Sequence, residues 1–232
     1  MFSSLRPSER LIAAVIENNY DDALQALQDG ADVNVQRTKN TPILFALSKK
    51  HFEIANLLVE HNANLNVDNG YGWLPIHEIC QQGNQEWLSK VMDDPMLYLD
   101  RKDRSGETPL VVALANGHDD IATALVQARC DVNSQTDSGV TPLMLAVERQ
   151  KTQLVEVMWE KRGDVNLVDG AGRSALDRAE NWAEGKKLLS GLKAEKTVVQ
   201  DNQEAEVVEI KEEENTLSSD GIRGIQKRRR PS

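Results

Sequence analysis

The stretch Gly139–Gln150 reads GVTPLMLAVERQ, and the earlier stretch Gly106–Gly117 reads GETPLVVALANG. Each phrase presents a glycine, a threonine and a proline before it turns apolar. The order has a physical reading. The hydroxyl of Thr141 or Thr108 can accept from an orphan N–H in the first turn of a helix. Proline at the first helical position gives up a donor that has no partner there, and its φ is already set. The glycine upstream permits a positive φ in a tight turn.

The same phrase recurs in register along most of the chain. Its anchors are Thr41-Pro42-Ile43, Leu74-Pro75-Ile76, Thr108-Pro109-Leu110, Thr141-Pro142-Leu143 and Ser174-Ala175-Leu176. They return at a near-constant period of about 33 residues, and only the step from Leu74 to Thr108 is longer, by a single residue. Gly72, Gly106, Gly139 and Gly172 stand two residues ahead of their anchors, and Lys39 takes that place in the first. A second phrase keeps the period: ADVN at Ala31–Asn34, ANLN at Ala63–Asn66, CDVN at Cys130–Asn133 and GDVN at Gly163–Asn166, with MLYLD at Met96–Asp100 as a degenerate copy. Each unit therefore predicts a tight turn, a short helix such as LMLAVER, a reversal and a second helix such as TQLVEVMWEK, whose apolar residues recur at three- and four-residue spacing. A left-handed residue then ends the helix at Gly30, Asn62, Arg129 or Arg162. No such unit buries its own apolar face; stacked neighbours do.

These phrases and their period resemble the ankyrin repeat, whose unit opens on a TPLH-type phrase and closes on a GADVN-type one. The resemblance runs over residues 6–193. It implies an all-α solenoid of stacked helix-turn-helix units with short β-hairpin-like loops. The repeats fall at 6–35, 36–68, 69–102, 103–135, 136–168 and 169–193, in a domain spanning 1–194. Only His77 fills the histidine position; Leu44, Val111, Met144 and Asp177 stand there in the other units. The first unit, with ERLIAAVIENNYDDALQAL, reads as an N-terminal cap, and the charged sixth as a C-terminal one.

Composition agrees. The chain of 232 residues is 40% hydrophobic but only 4% aromatic, which suits thin aliphatic layers. A net charge of −10 argues against broad contact with nucleic-acid backbones. No apolar run reaches the ~20 residues of a membrane span, and MFSSLRPSER lacks the apolar core of a signal peptide. Cys80 and Cys130 read as free thiols in a reducing compartment. Residues 195–232 read as a disordered, charged tail. Glu195–Asp220 carries nine acids against two bases, and the last twelve residues carry five bases and no acid. The location is expected to be cytoplasmic, with a nuclear or nucleic-acid-associated role for Lys227–Arg230 as the alternative.

Nothing in the sequence assembles a catalytic set, a cofactor loop or a metal site. His51 and His118 share one slot at the start of second helices, and His61 lies at a helix end. GYGW at Gly70–Trp73 and GAGR at Gly170–Arg173 fall on the repeat's turn. The chain is therefore read as no enzyme, needing no cofactor, monomeric by itself, and serving as an adaptor, scaffold or regulator for another protein. In the repeat family the resemblance points to, partners meet the concave face of turn tips and first helices, which carries that role onto particular residues here. Arg37, Asn40, Tyr71, Trp73, Arg104, Glu107, Val140 and Arg173 stand at tips, and Phe45, Glu78, Val112 and Leu145 fill the first outward slot of the first helices. Tyr71 and Trp73 are expected as anchors, and Arg37, Arg104 and Arg173 as polar contacts.

Overall fold

Four hydroxyls start helices where the sequence places them. Thr41 Oγ1 accepts from the Leu44 N–H at 3.5 Å, Thr108 Oγ1 from Val111 at 3.4 Å, Thr141 Oγ1 from Met144 at 3.2 Å and Ser174 Oγ from Asp177 at 3.3 Å. Pro42, Pro75, Pro109 and Pro142 each occupy the first helical position. Leu74 has no hydroxyl to offer. There the neighbouring histidine takes over part of the cap: His77 Nδ1 accepts from the Leu74 N–H at 3.1 Å.

The computed structural model describes residues 5–36 and 40–192. Arg37 and the expectations for residues 195–232 lie outside the described residues. The helices come in hairpins: α1 (Pro7–Glu17) with α2 (Tyr20–Gln28), α3 (Pro42–Ser48) with α4 (Phe52–Glu60), α5 (Pro75–Gln82) with α6 (Gln85–Val91), α7 (Pro109–Asn116) with α8 (Asp119–Gln127), and α9 (Pro142–Glu148) with α10 (Thr152–Glu160). A single turn, α11 (Ala175–Arg178), follows. The chain divides after Trp182 into two compact units. The first holds all eleven of these helices. In the second, residues 183–192 are helical.

Within the first unit the helices make two layers. The first helices stack in chain order, α1 on α3, α3 on α5, α5 on α7, α7 on α9 and α9 on α11. In the second layer α2 packs on α4, α6 on α8 and α8 on α10. The core runs between the layers as a strip: Leu11, Ile43, Leu47, Ile76, Ile79, Leu110, Leu114 and Leu143 from one side, Ile54, Leu58, Leu88, Ile121, Leu125 and Met158 from the other, all buried. Each such side chain contributes roughly 1.5–3 kcal/mol when fully covered, and the strip is closed by packing both within each hairpin and between neighbouring hairpins. Trp87 is buried on α6 with its ring 6.3 Å from Phe52.

Helix ends fall at the expected left-handed residues: Gly30 at φ +86°, Asn62 at +65°, Arg129 at +69° and Arg162 at +67°. The two arginines bear a cost of about 1 kcal/mol each for that conformation.

Among the described residues the loops are turns rather than hairpins of strands, and Val168 and Ser174 form an antiparallel bridge. Two ladders of hydrogen bonds link successive units, one from the third unit to the sixth and the other from the first to the fifth. At the turn tips, the Arg104 N–H donates to Tyr71 O at 2.9 Å, Asp137 N–H to Ser105 O at 3.0 Å and Gly170 N–H to Ser138 O at 2.8 Å. At the other phrase, Asn34 accepts from the Asn64 N–H, Asn66 from Tyr98, Asp100 from Asp131 and Asn133 from Asp164, all at 2.7–2.9 Å. Asp100 thus fills the asparagine position of the degenerate copy MLYLD.

The recurring glycine has two reasons to be there, of which only the positive φ is legible in the sequence. A Cβ on Gly72 would stand 2.5 Å from Lys102 O, on Gly106 2.6 Å from Asp137 N, and on Gly139 2.9 Å from Gly170 N. The next turn passes where a side chain would be. Gly172 also has a positive φ, +76°, but nothing lies within 4 Å. Gly106→Ala is expected to cost about 3 kcal/mol, backbone strain and collision together, against about 1 kcal/mol for Gly172→Ala. Urea unfolding of the two variants checks this; equal losses would remove the collision from the account.

Candidate protein-binding surface

Four of the turns are each shaped by one short polar side chain five residues ahead of the cap. Asp103 Oδ1 accepts from the N–H groups of Ser105 and Glu107, both at 2.8 Å, and Asp169 Oδ1 from those of Ala171 and Arg173, both at 2.9 Å. Asn69 Oδ1 accepts from the Tyr71 N–H at 3.0 Å and Thr136 Oγ1 from Val140 at 3.1 Å. Asn69, Asp103, Thr136 and Asp169 are all turn formers in one register, a signal that lies in the sequence outside the Gly and Thr-Pro phrases. These bonds aim the tip side chains.

The turns bring the expected residues together in groups. A cavity of about 360 Å³ is lined by Asn40, Tyr71, Trp73, Glu78 and Arg104 among others. Tyr71 is 46% exposed, and the Arg104 guanidinium carbon lies 3.7 Å from its ring centroid. That stack fixes a long cation in place while its N–H edge stays available. Trp73 is half-buried. Its ring lies 5.1 Å from that of His77, and its indole N–H donates to Glu78 Oε2 at 3.1 Å. Glu78 Oε1 accepts from Gln82 at 2.7 Å. A second cavity, about 480 Å³, takes in Arg104, Glu107, Val140 and Leu145. A third, about 330 Å³, sets Phe45 and Asn40 against Ile12, Val15 and Ile16.

One expectation needs correction. Val112 is 2% exposed, so it belongs to the core and not to the surface; its short side chain sits on α7, packed between α5 and α9. Phe45 and Leu145, in the same slot, are half-buried. Arg178, in that slot of the last unit, does not point outward either. Its side chain is 7% exposed and pairs with Asp169 at 2.5 Å and with Glu148. Arg173 joins the same carboxylate at 3.1 Å and lines none of these three cavities. The Asp169 carboxyl is held well below the usual range, first by the Arg173 backbone N–H, against its burial, and then by the Arg178 side chain, the Ala171 N–H and the Arg173 side chain.

His77 is buried and supports the floor beneath Trp73. Because the Leu74 N–H can only donate, Nδ1 must accept, and the ring proton sits on Nε2. Nε2–H then donates to Arg101 O at 3.0 Å and toward Glu107 O at 3.3 Å. The neutral ring is fully used. Burial pushes its pKa below the ordinary value, and carbonyl contacts to Glu107 and Arg101 only partly oppose this. The cysteines are inert in character. Burial is the main cause that pushes the Cys80 thiol up, and it pushes Cys130 up to about 12, far from the exposed, thiolate-favouring setting of a reactive cysteine. Among the described residues no three His, Cys, Asp or Glu side chains stand close enough to hold a metal ion. Nor is any helix there long and apolar enough to cross a membrane.

Known proteins share this geometry. Residues 11–96 and 72–136 match the family model described as ankyrin repeats (3 copies), and 125–179 the one described as ankyrin repeats (many copies). A probable 26S proteasome regulatory subunit p28 of Saccharomyces cerevisiae is 28% identical over 114 residues, 49% of this chain and 48% of that protein. Rabankyrin-5 of Mus musculus is 26% identical over 138 residues, 54% of this chain and 12% of that protein. The chain thus spans about half the length of the first relative and a small part of the second. The crystal structure of the ankyrin repeat protein EF0377 superposes with a TM-score of 0.68 at 27% identity, covering 81% of this chain and 97% of that one. An ankyrin repeat domain from Acinetobacter baumannii AYE gives 0.71 at 22% identity, covering 78% and 96%, and so speaks to the fold alone.

The histidine yields a pH test. A second proton on His77 would face the Leu74 N–H, so the folded state binds it less readily than the unfolded chain does. Stability from this group is complete above the ordinary value of 6.5 and declines as pH falls below it. The urea midpoint is expected to drop between about pH 7 and about pH 5.5 in the native chain, and less steeply in His77→Gln. Equal slopes in the two chains would contradict the assignment.

Proposed function

The chain belongs to the ankyrin-repeat family, and we propose that it acts as a non-catalytic adaptor or regulator that holds a protein partner on the face built by its turn tips and first helices. An ankyrin-repeat domain is a general protein-binding module. The observation that carries the finer reading is the convergence of Asn40, Tyr71, Trp73, Glu78 and Arg104 on one cavity. Tyrosine, tryptophan and arginine are the side chains that most often anchor protein interfaces. Here each is already held: Arg104 on the Tyr71 ring, Trp73 on His77 and Glu78. Little ordering entropy is left for binding to spend, which favours affinity. Glu107, Val140 and Leu145 extend the face into the neighbouring cavity, and Phe45 into the one toward α1.

The p28 relative is, by its name, a probable regulatory subunit of a larger assembly. A part in an assembly, held through the same face, suits this chain. We place it in the cytoplasm as a monomer that meets its partner there. The basic end at Lys227–Arg230 lies outside the described residues, and no observation among them favours a nuclear or nucleic-acid role.

Affinity capture from the native cell lysate tests the face. Tyr71→Ala with Arg104→Ala is expected to weaken retention of the proteins held by the native chain by about 30-fold in affinity, with the helical circular dichroism unchanged. Undiminished retention by the folded variant would remove these two residues from the interface.

A further inference from the structure

The second cavity differs in chemistry from the first. Its floor is aliphatic, with Val111, Val140 and Leu145, and two carboxylates, Glu107 and Asp137, stand in its wall. Other acids on this face are spent. Asp103 and Asp169 hold backbone N–H groups of their own turns, and Glu78 holds the Trp73 indole and Gln82. Glu107 and Asp137 are not. Their backbone groups are engaged in the turns, with Glu107 N–H on Asp103 and Asp137 N–H on Ser105 O. Among the described residues, neither side chain has a hydrogen-bond or ion-pair partner. Arg104, which also borders the cavity, is stacked on Tyr71.

We propose that this cavity receives a lysine or arginine side chain of the protein partner, its aliphatic stem on Val140 and Leu145 and its cationic head between Glu107 and Asp137. The inference rests on the protein-binding reading above and names the chemistry that one part of the face selects. A long basic side chain is the residue type that joins an apolar stem to a cation. An aliphatic side chain would cover the half-buried Glu107 carboxylate without bringing it a counter-charge, and an acidic one would add like charge beside it, which is costly. The unbound protein already bears part of that cost. Burial raises the Glu107 pKa, and the charge of Asp103 adds to it. A net charge of −10 draws basic partners from a distance.

A random peptide library displayed on phage and selected on the immobilised full chain supplies the probe. The enriched peptides are expected to share a lysine or arginine. Fluorescence anisotropy with the best of them should show about tenfold weaker binding to the Glu107→Gln/Asp137→Asn variant. Replacing the shared basic residue by norleucine should cost about as much, and the two losses should not add. The urea midpoint of the variant should equal or exceed that of the native chain, since no contact within the described fold is removed. Enriched peptides without a basic residue, or affinity unchanged in the variant, would overturn this inference and leave the protein-binding reading standing. A lowered urea midpoint would make the two acids structural and overturn it as well. No enrichment at all on the full chain would overturn both.

Discussion

The structure depends on one constraint: a helical hairpin of about thirty residues cannot cover its own apolar stripe. Ile43 and Leu47 on α3, Ile76 and Ile79 on α5, and Leu110 and Leu114 on α7 are dry only because the flanking hairpins lie against them. Stacking at close range brings consecutive turns into contact as well. That contact dictates the glycines: Gly72, Gly106 and Gly139 stand where the next turn's backbone fills the space of a Cβ. Gly172 faces nothing within 4 Å and keeps only its positive φ. The period of the sequence is thus the period of a spatial repeat, and its local exceptions mark where the repeat's neighbours change.

Unit three shows how one exception is absorbed. Leu74 replaces the capping threonine, and the step to the next anchor is longer than the others by a single residue. Here alone the histidine of the opening phrase is retained. His77 caps the Leu74 N–H on one side and reaches the carbonyls of Arg101 and Glu107 on the other. It thereby fixes the turn that carries Arg104. The link between fold and function runs through this buried ring: the same side chain that replaces a lost cap also supports Trp73 and positions the loop whose arginine lies on Tyr71.

Most of the fold is legible because its signals are local and repeated. Thr-Pro caps, glycines two residues upstream and left-handed helix ends at Asn62, Arg129 and Arg162 are each dictated by backbone chemistry within a few residues. The candidate site is less so. Repeat register alone places Phe45, Val112 and Leu145 in one class, yet Val112 is buried while the other two are half-exposed. The difference lies in side-chain size and in what the flanking helices present, which the register does not encode. The register alone does not show that Arg178 is buried, because nothing in the sequence marks Asp169 as a buried acceptor for it and for the exposed Arg173. The stacking of Arg104 on Tyr71 joins the tips of successive units; the register places both at tips, but only three-dimensional geometry shows that they touch.

Amide hydrogen exchange at three exposed loop residues tests the stacked register most directly. Arg104, Asp137 and Gly170 sit on the surface, yet each donates its backbone N–H to the tip of the preceding unit. Stacked units in this register predict that these three amides are protected, opening only with the interface between units. Exchange of all three at the rate of an unstructured peptide, while the helices stay protected, would contradict it.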